Sequence, residues 1–127
     1  MTRKLIPFVA FAVFLGLWTW KLLEPNPVPE VLSTRLSFGD WQFWIAKSVH
    51  AGVYAFLTLL ALTLPLSRSW RWRFVAMLAL HGAATEIGQT FVQGRSGSVR
   101  DVLLDWGGIG LGLLFCFVAS GGRKPPE

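Results

Sequence analysis

Polar and apolar positions along the chain sort into four long apolar runs separated by shorter polar stretches. The runs cover residues 5–23, 43–64, 74–92 and 102–119. Each is close to the roughly 20 residues that a helix needs to cross a hydrocarbon layer about 30 Å thick. The pattern predicts an all-α fold, a single domain over residues 1–127 built as a bundle of four transmembrane helices. The longest connection, residues 24–42, opens with Pro25, Pro27 and Pro29, which favour an extended chain. Residues 67–73 make a short basic loop, and residues 93–100 are rich in Gly and Ser. The tail over residues 121–127 is polar, carries two prolines and is expected to be disordered. No internal repeat is visible.

The first run follows Arg3 and Lys4, as a secretory signal would. It is long, however, and Lys21-Leu22-Leu23-Glu24-Pro25 offers no small-residue cleavage site, so a retained helix is expected.

Composition supports the membrane reading. Hydrophobic residues make up 53% of the chain and charged residues 15%, against about 25% charged in an ordinary soluble domain. The formal net charge of +5 would suit a nucleic-acid binder. Here, though, the basic residues lie between apolar runs, where positive charge reports orientation. With four spans, Arg3, Lys4, Arg68, Arg71, Arg73, Arg123 and Lys124 share one side, and Lys21, Arg35, Arg95 and Arg100 share the other. The positive-inside rule puts both termini in the cytoplasm. The expected location is the bacterial cytoplasmic membrane, as a multi-pass protein, with membrane lipids as partners and no nucleic acid. Trp18, Trp20, Trp41, Trp44, Trp70 and Trp72 cluster at the expected interfaces, where an apolar ring with one N–H donor is favoured. Trp106 is the exception, about a turn inside the fourth run.

Topology and helical rise then place the ionisable residues. At 1.5 Å per residue, Lys47 lies about 6 Å below the outer start of the second span, His50 about 10 Å and Tyr54 about 16 Å. Their i, i+3, i+7 spacing puts them on one face. Glu86 and Gln89 lie within about 10 Å of the outer end of the third span. Arg95 and Ser96 follow in the loop, Asp101 opens the fourth span, and Asp105 sits one turn deeper on the same face. Three helices therefore deliver polar groups to one shallow layer in the outer leaflet. Even low estimates charge about 2.5–3.5 kcal/mol for Lys, Arg or Asp at a bilayer centre, so these groups should face one another or a watery recess.

The spacing Lys47-x-x-His50-x-x-x-Tyr54, then Glu86-x-x-Gln89, Gly94-Arg95-Ser96 and Asp101-x-x-x-Asp105-x-x-Gly108 resembles the VanZ-like membrane proteins. The resemblance covers about residues 40–114. There are two departures. Ala46 stands where the family usually has an acidic residue, and Asp105 where it usually has Asn, so one carboxylate leaves the layer and another enters it. The resemblance implies a cell-envelope membrane protein from a family named for resistance to the glycopeptide teicoplanin; it implies no particular reaction.

Each feature also has a plainer reading. Ser98-x-x-Asp101 before an apolar run is a capping-box pattern. Gly94-Arg95-Ser96-Gly97-Ser98 is a tight turn that could also present N–H groups to an anion. His50 with Glu86 is either a proton-transfer pair or a hydrogen bond joining two spans. His81, near mid-membrane, reads as a satisfied core histidine. Gly107-Gly108-Ile109-Gly110-Leu111-Gly112 lacks a preceding strand, so Gly108-x-x-x-Gly112 reads as a helix-packing surface and a possible route to a homo-oligomer. Two histidines and scattered carboxylates show no zinc-type ligand spacing, so neither a metal nor any other cofactor is expected. The lone Cys116 excludes an internal disulfide and reads as a small buried hydrophobe.

Three functions fit the sequence. The first is a binding module using Lys47 and Arg95, with His50, Tyr54, Glu86, Gln89, Ser96, Asp101 and Asp105, to grip an anionic lipid or cell-wall precursor group. The second is an intramembrane enzyme on a lipid-linked cell-wall intermediate, with Glu86 or Asp105 as base and His50 as acid. The third is a structural subunit whose polar layer only locks helices together. The binding module ranks first, because no activated nucleophile is apparent.

Overall fold

The computed structural model describes residues 2–25, 39–95 and 97–121. The expectations for the rest of the proline-rich connection, for most of the tail and for Ser96 lie outside the described residues. Four helices follow in order: α1 Thr2–Leu23, α2 Gly39–Thr63, α3 Arg68–Gln89 and α4 Val99–Ala119. All described regular structure is helical, as the four apolar runs predict.

The helices begin earlier than the runs. α3 starts at Arg68, so the basic stretch expected as a loop forms its first turns. Apolarity marks only the part of a helix that suits hydrocarbon, whereas backbone hydrogen bonding continues into the polar flank. There the Arg73 guanidinium lies 4.5 Å over the Trp70 ring, and Arg71 Nε donates to Leu66 O at 3.0 Å. α4 starts at Val99 behind the N-cap Ser98, whose side chain accepts from Asp101 N. This is the cap expected from Ser-x-x-Asp. Just beyond its C-cap Ser120 stands Gly121, whose φ of 63° is the left-handed conformation that closes many helices.

Contacts fix the directions. The ends of α1 and α3 meet the starts of α2 and α4 at one end of the bundle, so successive helices run antiparallel. Phe11 meets Phe74 edge-on at 5.4 Å, Phe14 meets Phe56 at 5.1 Å, and Trp18 meets His50 at 5.1 Å. The apolar core gathers Phe11, Tyr54, Leu57, Ala61, Leu64, Val75, Leu78 and Ile109.

The seam between α2 and α4 is the closest. A Cβ at Gly108 would run into the backbone of Ala51, and one at Gly112 would stand 2.7 Å from Ala55 O and 2.9 Å from Thr58 Cβ. Both glycines are buried within the chain. The dimer route expected through Gly108 and Gly112 is therefore closed by α2 of the same chain. A small-residue stripe marks a close approach, and the sequence does not say which helix takes it.

Beside its apolar core the bundle buries polar residues and exposes large apolar ones. Thr58, Thr85, Glu86, Gln89, Asp101 and Asp105 are buried, while Leu5, Ile6, Val13, Leu80, Leu114 and Phe117 are exposed. Two helical stretches, Arg3–Leu23 and Val99–Ala119, are long and apolar enough to cross a membrane.

Candidate functional site

The polar layer is built at the end where α1 and α3 finish and α2 and α4 begin. Lys47 of α2 pairs with Asp101 Oδ1 of α4. One turn deeper on each helix, His50 Nδ1 stands 3.5 Å from Asp105 Oδ1. Glu86 of α3 joins them: a ligating atom from each of His50, Glu86 and Asp105 lies within 4.8 Å of the other two. The linear spacing shows no such constellation, because its members come from three helices.

Glu86 is oriented from the loop. Its Oε2 accepts the backbone N–H of Ser98 at 2.9 Å. In a complete capping box Asp101 would accept that N–H. Glu86 takes the role, and Asp101 pairs with Lys47. Gly97 lets the loop come this close, since a Cβ there would collide with the Glu86 carbonyl.

Asp105 is the unusual member. It is 0% exposed, and among the described residues neither carboxylate oxygen has a hydrogen-bond partner. His50 Nδ1 and Trp18 Nε1 are likewise buried without one. Buried polar atoms are paired in the great majority of cases, so these atoms stand out among the described residues. Gly82 lets α4 bring Asp105 this close to α3. A Cβ at that position would stand 3.2 Å from Asp105 Oδ2 and 3.5 Å from Tyr54 Oη.

Several expected site residues have other partners. Tyr54 is fully buried, and its hydroxyl bonds His81 Nδ1 at 3.0 Å. His81 Nε2 in turn bonds Thr19 Oγ1 at 2.8 Å. Both His81 nitrogens are thus satisfied, and a Thr19–His81–Tyr54 chain stitches α1, α3 and α2 together. Gln89 Nε2 donates to Leu22 O at 3.0 Å. Arg95 donates to Glu24 O at 3.0 Å and to Lys21 O at 3.3 Å. These two residues serve the carbonyls at the end of α1, which no intrahelical N–H can reach. No local sequence signal points to this role, because the carbonyls that Arg95 serves belong to a helix far away along the chain. In the same corner Lys21, hydrogen-bonded to Glu24 at 2.8 Å, holds the Glu24 carboxyl below the usual carboxylate range, with Arg95 adding to the effect.

Trp106 Nε1 donates to Ala79 O at 3.0 Å, so the tryptophan that broke the interface pattern ties α4 to α3. Cys116 is a free, partly buried thiol.

With this geometry set, comparison with known families is decisive. The family model described as VanZ/LLP1 matches residues 1–120. The chain belongs to the VanZ family. The match spans all four helices and all the candidate residues of the VanZ-like layer. Neither the curated proteins nor the solved structures contain a match to this chain.

Proposed function

We propose that this VanZ-like chain crosses the bacterial cytoplasmic membrane four times. Its termini lie inside, and beneath its outer face it presents a polar site for the head group of an anionic lipid or a lipid-linked cell-wall precursor. The supporting observation is Asp105, a fully buried carboxylate with neither oxygen hydrogen-bonded among the described residues. A layer serving only to lock helices would match its own buried donors and acceptors, as the Thr19–His81–Tyr54 chain does. An acceptor left over inside an apolar bundle is a place for an incoming donor, and intramembrane ionisable groups mark function by default. A head group offers hydroxyls or a bound cation for Asp105, and its anion would compete with Asp101 for the Lys47 ammonium at the mouth.

The apolar outer surface and buried polar residues support the multi-pass reading, and the excess of basic residues near the termini and in the α2–α3 corner supports the orientation. Family membership extends the proposal to envelope physiology, with altered glycopeptide susceptibility, teicoplanin included, as a cellular consequence. A second reading is favoured by the 3.5 Å approach of His50 to Asp105. An imidazole beside a carboxylate is general acid–base hardware, and the site would then process the head group it binds.

Lipid retention tests the proposal. The protein is purified in mild detergent with equal phosphatidylglycerol and phosphatidylcholine, and native mass spectrometry reads what remains bound. Preferential retention of the anionic lipid, lost in Asp105→Asn and Lys47→Met proteins that keep their helicity, is expected. Equal retention of both lipids overturns the head-group reading. Topology is tested separately with Gln93→Cys in a Cys116→Ser background. Labelling of intact cells by an impermeant thiol reagent is expected, and labelling only after lysis reverses the orientation.

A further inference from the structure

We propose that His50, Glu86 and Asp105 bind one divalent transition-metal cation of the zinc class. This goes beyond the head-group reading and stands without it.

The donor set comes first. One imidazole and two carboxylates, from α2, α3 and α4, place ligating atoms within 4.8 Å of one another. Around a tetrahedral zinc with bonds of about 2.1 Å, neighbouring ligand atoms lie about 3.4 Å apart. His50 Nδ1 and Asp105 Oδ1 already stand at 3.5 Å, and the other separations, within 4.8 Å, have to close by at most about 1.4 Å to reach that edge. An imidazole beside carboxylates suits zinc or manganese better than calcium or magnesium, which prefer all-oxygen shells.

The second argument is independent of the cluster's composition. Asp105 is completely buried, and neither its oxygens nor His50 Nδ1 has a hydrogen-bond partner among the described residues. These are the atoms that a cation between them would satisfy together. Charge points the same way. Two buried carboxylates meet here. A divalent ion balances both carboxylates at once.

The surroundings resemble the outer support of metal sites, where ligands are held in orientation by fixed partners. The Ser98 N–H holds the Glu86 carboxylate. The Trp18 ring meets the edge of the His50 ring at 5.1 Å. Three protein ligands leave a fourth position open, the arrangement of zinc sites that receive an external group rather than serve as staples.

The test uses metals alone. Full-length protein in detergent is stripped with a chelator, offered Zn²⁺, Mn²⁺ or Co²⁺, and passed over a sizing column. About one ion per chain is expected, with visible cobalt absorption from nitrogen and oxygen ligands and a raised Tm with zinc. Asp105→Asn and the more conservative His50→Gln should each lose the ion and the Tm response, while Cys116→Ser keeps both. If Asp105→Asn does not fold, His50→Gln decides. Failure of the wild-type protein to retain any of the three metals overturns the proposal, as a cluster held by a shared proton would require. Retention at wild-type stoichiometry in a folded His50→Gln protein means adventitious binding and overturns it equally. No lipid enters this assay, so it and the head-group test fail separately.

Discussion

Glu86 accepts the backbone N–H of Ser98, so a carboxylate from one helix caps the start of the next. The contact leaves Asp101 to pair with Lys47 and holds Glu86 beside His50 and Asp105. Glutamine keeps an oxygen acceptor at this position and alanine does not. Glu86→Gln should therefore retain the fold. Glu86→Ala should lose about 1–3 kcal/mol, the cost of an orphaned buried donor. Thermal unfolding of the two proteins in the same detergent checks the difference.

Lys47 and Asp101 predict a coupled pair. Their side chains are 18% and 11% exposed, so water screens them only partly. Lys47→Met or Asp101→Asn alone should cost about 1.5–3 kcal/mol, in the range of hydrogen bonds to charged groups. The double variant should cost less than the sum of the single ones. A double-mutant cycle on stability is the measurement, and strict additivity would show that the pair is not coupled.

The glycines of α4 predict a split by face. Gly108→Ala and Gly112→Ala push a methyl group into the α2 backbone and should cost about 1–3 kcal/mol, as overpacked sites do. A Cβ at Gly107 or Gly110 meets nothing within 4 Å. Alanine there should be neutral, or stabilising by up to about 1 kcal/mol through helix propensity. Ranking the four Tm values tests the seam.

Arg95 and Gln89 predict a local effect. Removing either side chain deprives the last carbonyls of α1 of donors. Amide exchange should accelerate in the final turn of α1 and stay unchanged in the α2–α4 seam. Faster exchange throughout the protein would contradict so confined a role.

His81 separates stitching from the site. His81→Phe breaks bonds to Thr19 and Tyr54 and should lower stability by about 1–3 kcal/mol. It should leave metal retention by the folded protein intact, and loss of metal at full occupancy of the fold would place His81 in the site.

The sequence makes some of this legible and hides the rest. Four apolar runs long enough to span imply alternating helix directions, and helical rise brings Lys47, His50, Glu86, Arg95 and Asp105 to one end. The structure gathers them there. The pairings depend on how each helix is rotated about its own axis, which a run of apolar residues does not record. His50 looked toward Glu86 in the sequence, yet its closest carboxylate is Asp105, because Gly108 presses α4 onto α2 at Ala51. Tyr54 shares a face with His50 by spacing, but one turn deeper it meets His81. Arg95 has the chemistry of an anion ligand and the geometry of a helix cap. Its neighbours on α1 are far away in sequence, and only the folded chain reveals them.

The Gly108 contact on Ala51 has a mechanical consequence. His50 precedes Ala51 directly and Asp105 lies one turn before Gly108, so the gap between imidazole and carboxylate is set by main chain meeting main chain. Neither helix can slide along the other without lifting off the seam. A thinner or thicker bilayer should tilt the two together and leave the spacing of their polar groups unaltered.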